Sequence, residues 1–485
     1  MSAIPESARL SRGARPTRLP RLTRPSRHVY GVGAMALTAC VLYATFAYLK
    51  WRAQAFWGWD LGIFDQIVRD YAHFHAPDVT IKRHTSATDP GMFAWADHFS
   101  PILVLLAPLY WIDNSAYNLL FAQAVLFSAA VVPIWIYTRR KLGVPQAYLV
   151  GAAFLLYWPL QSALNFEFHE VAFAPLILAT LIERIDAERW RHAAIAAGLL
   201  LSVKEDMGPI LVAAGIWIMI RGHRRIGAYF TAAGAAAIAL IIWVVMPLSG
   251  GSSMRDWYYG QLGDSFSQVA VHLAEHPSLL LTELIDPHVK LHTAFWLLAP
   301  LLFLSLRSWI SILAVPQILE RFFSEVDYHW QQPYQYNAYL AAILVLAAVD
   351  GASKFKRPSL RTTWAASALV VAIALLPTYP FWQLTKSQTW TTVAPRAAQL
   401  HLLHLLPEGT DVLMEFPLDA TADEWVHPIS EDYTDVAPKW MLTQNVPAFQ
   451  QLLNSKLAAV DGKPGSYTTY ATYEGWVLAY CRGCS

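Results

Sequence analysis

Charge is what this 485-residue chain lacks: charged residues make up 15% of it, against about 25% in a soluble domain. Too few charges to cover a water-exposed surface, with 55% hydrophobic residues, exclude a soluble globular protein and leave a polytopic membrane protein. The chain also lacks surplus charge of either sign. A net charge of +1 gives no basic footprint for nucleic acid. Cysteine is scarce: Cys40, Cys481 and Cys484 are too few for a disulfide framework. Cys481-Arg-Gly-Cys484 therefore reads as a local disulfide or idle thiols. No secretory cleavage site follows the first apolar run, so that run reads as a retained helix.

What charge there is falls in a pattern. Arg9, Arg12, Arg15, Arg18, Arg21, Arg24 and Arg27 recur at every third position among Pro16, Pro20 and Pro25. The prolines forbid a continuous helix, so residues 1–29 read as a disordered cytoplasmic tail beside anionic headgroups. Eleven apolar stretches follow, from Tyr30–Leu49 to Thr362–Tyr379, and residues 30–380 read as a transmembrane domain of about eleven helices. A large first outer loop, 50–115, carries surface helices at Gly58–His73 and Phe99–Trp111. Residues 381–485 read as a small extracytoplasmic α/β domain. Its expected elements are helices Pro395–Leu406 and Val446–Leu453, with strands Asp411–Phe416, Leu457–Val460 and Gly475–Tyr480.

Alternating the stretches across the membrane places 21 of the 36 Lys and Arg inside, as the positive-inside rule requires. The same walk puts 30 of the 35 acids and 13 of the 16 histidines outside. It implies a cytoplasmic-membrane protein with its amino terminus in the cytoplasm and its carboxy terminus outside. An impermeant thiol reagent added from outside should then label a cysteine at Ser466 and not one at Thr138. Lys50 and Arg52 break the bias, either snorkelling or holding an anionic group.

The outer polar residues gather at helix ends, where ionisable groups are expensive and usually functional. Asp60 and Asp65 lie in the first loop beside Trp57 and Trp59, and Asp97 and His98 follow. Asn165–Glu170 contributes Glu167, His169 and Glu170. Lys204-Glu205-Asp206 is set directly between two apolar runs, and Asp327–Tyr336 contributes His329. Together they describe a cavity of carboxylates, imidazoles and aromatic rings. Each also has a plainer reading. Asp60 fits an N-cap of the helix Leu61–His73, Asp65 and Arg69 an i,i+4 pair, and Lys204 with Glu205 or Asp206 a buried ion pair. Glu167, His169 and Glu170 fit snorkelling groups at the interface. His73, His75 and His84 read as loop residues.

Trp59-Asp60-Leu61-Gly62-Ile63-Phe64-Asp65-Gln66, His98-Phe99-Ser100-Pro101-Ile102 and Leu106-Ala107-Pro108-Leu109-Tyr110 resemble the signature of a bacterial family of polytopic membrane proteins of unknown function. That family is similar in plan to the GT-C glycosyltransferases, and the likeness extends through Asn165–Glu170 and Lys204–Asp206. It implies a cell-envelope enzyme that transfers a hexose or pentose from a polyprenyl-phosphate donor to an acceptor at the outer face. It also implies an essential acid in the first outer loop, a position that Asp60 matches, with Asp65 the second choice. Such a transfer needs a carboxylate to take the acceptor's proton and a cation where the leaving phosphate gains charge. Lys204, His169 and His329 are candidates for the cation, or a divalent ion held by Asp60, Glu167 and Glu170. His98, Glu205, Asp206, Trp57 and Trp59 complete the expected substrate contacts. The alternative is a transporter or lipid-handling protein without chemistry. Transporter sites usually sit at broken helices near the midplane, whereas these clusters sit at outer helix ends.

Overall fold

The apolar stretches are largely helical, as expected of backbone that must satisfy its hydrogen bonds without water, with a break at Leu302 and Phe303. The structure, a computed structural model, describes residues 27–79, 81, 92–251, 257–415, 418, 422, 425–430, 437–459 and 466–484. The arginine comb before Arg27, His84 and most of 416–436 lie outside the described residues. Among the described residues six helices are long and apolar enough to cross a membrane: Arg27–Ala53 (α1), Tyr117–Lys141, Val144–Phe166, Arg224–Leu248, Gln335–Ser353 and Pro358–Thr378. Gln335–Ser353 is the central one, 83% buried, whereas Pro358–Thr378 at 22% runs along the periphery.

The other expected spans are shorter, so the expected count of about eleven helices is not a count of eleven full-length crossings. Ala174–Asp186, Trp190–Leu201 and Gly208–Ile220 have 13, 12 and 13 residues. At 1.5 Å per residue they reach about 20 Å, two-thirds of a hydrocarbon core of about 30 Å. Pro175 and Pro209 sit in the first turns of two of them, where a missing N–H costs nothing. Each is preceded by a short 3₁₀ turn, Glu170–Phe173 and Glu205–Met207. The polar clusters ride on these turns, at the shortened helix ends. Gly208–Ile220 packs closely against Arg224–Leu240: a Cβ on Gly215 would lie 2.6 Å from the Gly227 carbonyl, and one on Gly234 2.7 Å from the Gly208 carbonyl. Small residues at such a crossing let the two backbones meet, and the hairpin fixes the turn that bears Glu205 and Asp206.

The first loop folds onto this bundle. The helix Trp59–Ala72 (α2) buries Leu61, Phe64 and Val68 at the spacing of one helical face. A small ladder pairs β1 (Asp78–Val79) antiparallel with β2 (Met92–Phe93). The expected surface helix at Phe99–Trp111 is a 3₁₀ turn, Pro101–Leu106, running into Ala107–Tyr110. Lys50 and Arg52 do face polar partners: Lys50 donates to the Asn165 carbonyl and Arg52 to that of Trp390.

The carboxy-terminal region holds a mixed five-stranded sheet in the order β4-β3-β5-β7-β6. Its strands are β3 (Thr410–Met414), β4 (Val426–Ser430), β5 (Trp440–Thr443), β6 (Tyr467–Tyr473) and β7 (Trp476–Cys481). Alternate residues of β3 face opposite sides. Val412 and Met414 pack with Ala398 and Leu402 of the helix Arg396–Leu403, and Leu413 packs with Phe449 and Leu453. The strand expected at Leu457–Val460 is instead the end of the helix Val446–Ala459. Leu457 continues the i, i+4 stripe of Phe449 and Leu453 and is fully buried. Cys481 and Cys484 form a disulfide. The region sits on the end of α1: Gln54 and Gln399 exchange amide hydrogen bonds of 2.8 and 3.1 Å, and Arg396 lies over the Trp51 ring at 4.8 Å. Thr138 is buried and Arg139 exposed, so Arg139→Cys is the position to label on the side expected to face the cytoplasm, set against Ser466→Cys, with Cys40 replaced by Ser.

Candidate active site

The first turn of α2 is held by a carboxylate from far along the chain. Gly58 is its N-cap residue and has no side chain with which to cap. Glu167 supplies the missing acceptor, taking the Gly58 N–H at 3.1 and 3.2 Å and the Leu61 N–H at 2.9 Å. These are the two N–H groups that a capping box satisfies, both taken here by one acid from the segment after the helix Val144–Phe166. Burial, then the Asp60 charge, pushes the Glu167 carboxyl well above the usual range, while the two N–H donors and Lys50 pull it down.

Asp60 is therefore released from capping. It lies in the first helical turn, with Ile63, Phe64 and Ile67 on the same face, and all four line a cavity. His169 Nε2 meets Asp60 Oδ2 at 3.1 Å. That imidazole is buried, packed edge-on to Phe64 and stacked on Phe166 with ring centres 5.4 and 5.6 Å away. Its Nδ1 has no hydrogen-bond partner among the described residues.

Two ion pairs stand across the same cavity. Lys204 Nζ lies 3.2 Å from Glu170 Oε1. Burial opposes the ammonium, but Glu170, Glu205 and Asp206 outweigh it and hold Lys204 well above its ordinary range, so it stays charged. His98 Nδ1 lies 2.8 Å from Glu205 Oε1, whose other oxygen accepts the Phe99 N–H at 3.0 Å. Burial and Lys204 press His98 towards neutrality, and Glu205 with Asp97 overcomes them, lifting it to about 9. Glu205 moves the opposite way: burial would raise it, and the His98 and Lys204 charges lower it. Asp60, His98, His169, Glu170 and Lys204 thus share one cavity.

The remaining candidates are placed elsewhere. Asp65 is buried against Tyr110, whose hydroxyl donates to it at 2.7 Å, and Arg69 at 2.8 Å. The i,i+4 pair is its role, on the side of α2 away from the cavity. Glu167 serves the helix start. Glu205 reaches the cavity only through His98. Asp206 accepts from Gln317 through its backbone carbonyl at 2.8 Å, and burial lifts its carboxyl to about 6. His329 bonds Ser324 Oγ at 2.8 Å. Burial, with Lys204 and Arg321 nearby, lowers it to about 3, so it is neutral and supplies no positive charge. Trp57 is exposed and Trp59 half-buried; neither forms the cavity wall. Among the described residues no group of three or more His, Cys, Asp or Glu is placed to hold a metal ion. The set Asp60, Glu167 and Glu170 does not fit one, because Glu167 is turned to backbone N–H groups. Val79, Ala94, Asp97, Ser100, Gln335 and Tyr336 complete the wall. Of these, Tyr336 was signalled by the aromatic stretch Asp327–Tyr336, whereas nothing marked Gln335 apart from its neighbours.

Similarity to known proteins bears on the fold. No curated protein matches the chain. Among solved structures, ArnT from Cupriavidus metallidurans in the apo state superposes with a TM-score of 0.51 at 14% identity, covering 94% of this chain and 98% of that one. ArnT from the same organism bound to undecaprenyl phosphate gives 0.49 at 15%, covering 93% and 97%. The archaeal oligosaccharyltransferase AglB from Archaeoglobus fulgidus, in complex with an inhibitory peptide and a dolichol-phosphate, gives 0.48 at 13%, covering 92% and 74%. The last two scores are too low to carry weight, and the first speaks to the fold alone. The likeness to ArnT is therefore one of fold. Residues 55–476 match the family described as predicted membrane protein (DUF2079), and to that family of multi-pass membrane proteins this chain belongs.

Proposed function

We propose that the protein is an integral membrane glycosyltransferase that moves a sugar from a polyprenyl-phosphate donor to an acceptor hydroxyl at the outer face of the cytoplasmic membrane. The observation that carries the reading is the contact between Asp60 and the buried His169, inside a cavity that also holds the charged Lys204. Asp60 takes the proton of the acceptor hydroxyl as its oxygen bonds to the anomeric carbon. The bond from that carbon to the phosphate oxygen breaks, and its electron pair leaves on the lipid phosphate. His169, donating from Nε2, fixes the Asp60 carboxylate that must receive the proton. Lys204, held by Glu170, faces the charge that develops on the leaving group, as electrostatic stabilisation requires. The hexose or pentose, and the polyprenol, are left to the assay.

Purified protein in liposomes should release polyprenyl phosphate from at least one of a polyprenyl-phosphoryl hexose and a polyprenyl-phosphoryl pentose. The release should be time-dependent and require an acceptor. Protein that binds these lipids and releases nothing from any of them would put the non-enzymatic lipid-handling reading in its place.

A further inference from the structure

The cavity wall holds more acceptors than a lipid phosphate can use. Gln335 is 4% and Glu170 1% exposed, and both line the cavity. Among the described residues, Gln335 Oε1 and Glu170 Oε2 are buried there without a hydrogen-bond partner. Buried polar atoms are nearly always paired, and those that are not call for a partner yet to arrive. A phosphate dianion brings only further acceptors, whereas a ring hydroxyl brings the donor that both atoms want.

Beside these acceptors runs an unbroken arc of aromatic rings. It begins at His169, the partner of Asp60, on which Phe166 stacks. Tyr334 meets Phe166 edge-on at 5.1 Å, and Tyr328 lies 5.7 Å beyond Tyr334. Tyr328 in turn stacks on Tyr336 at 21°, and Tyr336 returns the arc to the cavity wall. His329 packs against both Tyr328 and Tyr336, at 4.9 and 5.0 Å, and being neutral leaves the arc uncharged. Flat apolar faces beside a few fixed polar atoms are how a site orients a ligand with one apolar face and a polar rim.

We infer that the Gln335–Tyr336 side of the cavity is a saccharide subsite, with a sugar ring lying against Tyr336 and hydroxyls donating to Gln335 Oε1 and Glu170 Oε2. The inference deepens the transferase reading and rests on it for the reaction, but not for the binding. The ring belongs either to the donor's sugar or to a saccharide acceptor, since both present the same hydroxyls and the same apolar face.

The test is saturation-transfer NMR on the full-length protein in detergent with methyl hexopyranosides and methyl pentopyranosides, set against inorganic phosphate and cyclohexanol. At least one glycoside should receive saturation on its ring protons, whereas cyclohexanol, with one hydroxyl, should receive little. Tyr336→Ala and Gln335→Leu should each weaken binding by roughly tenfold, and Tyr336→Phe, which keeps the ring, should retain it. Gln335→Leu keeps the test open if Tyr336→Ala does not fold, as judged by thermal unfolding. Displacement of the glycoside by a polyprenyl-phosphoryl sugar, but not by bare polyprenyl phosphate, assigns the subsite to the donor. A signal unaffected by either lipid assigns it to the acceptor. No transfer above the two controls, or transfer that both loss variants leave unchanged, overturns the inference. Glycoside binding without any turnover would sink the transferase reading and leave the subsite standing.

Discussion

Asp60→Asn should lower turnover by about 10²–10⁴-fold, the contribution of a positioned general base, while the unfolding temperature stays close to wild type. The structure separates the two outcomes cleanly. An acid at a helix start is often there to cap, and Asn caps about as well as Asp, so a capping role predicts a stable and active variant. Here Glu167 already accepts the Gly58 and Leu61 N–H groups, and Asp60 points at His169 instead. Asn can still accept from His169 Nε2, so geometry survives, but it offers no basic oxygen to the acceptor's proton. Asp65→Asn should behave in the opposite way. It weakens the Arg69 pair and the bond from Tyr110, so it should cost stability and leave turnover within a few-fold. Equal losses of turnover in the two variants would contradict this division.

Glu167→Ala should destabilise the protein by about 3 kcal/mol, because it leaves two buried N–H groups unpaired at about 1–3 kcal/mol each. Glu167→Gln keeps an acceptor oxygen and the shape of the protonated acid towards which burial drives this group. Its cost should be nearer 1 kcal/mol. Thermal unfolding in detergent reads both. A substrate-binding Glu167 would show a raised KM with unchanged stability. A cap shows lost stability first, and lost turnover only as far as α2 frays and carries Asp60 with it.

The membrane character, the helical stretches and the gathering of polar groups at helix ends were legible in the sequence, because hydropathy and interrupted apolar runs are local signals. Lys204-Glu205-Asp206 stands out for that reason. Which partner each residue takes was not legible. Lys204 passes over its neighbours Glu205 and Asp206 for Glu170, 34 positions away, and Glu205 takes His98 across 107 positions. Helix packing makes those choices, and a single sequence does not carry it. His329 looked like a cation and is neutral, because burial beside Lys204 and Arg321 disfavours a further positive charge. Pro175 and Pro209 mark the short helices whose ends hold the site. In the carboxy-terminal region Leu457 belongs to a helical stripe anchored at Phe449, too short to recognise without the sheet beneath it. Strands β4, β5 and β6 went unread, with much of the sequence between β3 and β5 falling outside the described residues.

The central claim is a direct displacement in which one carboxylate, Asp60, removes the acceptor's proton and no enzyme-bound sugar forms. The anomeric configuration of the product tests it most directly. With a stereochemically defined polyprenyl-phosphoryl sugar as donor, NMR of the isolated glycoside should show inversion at the anomeric carbon, because a single displacement inverts. Retention would contradict the account, since it requires a second displacement through a nucleophile, and Asp60 would then have to bond to the sugar instead of taking the proton.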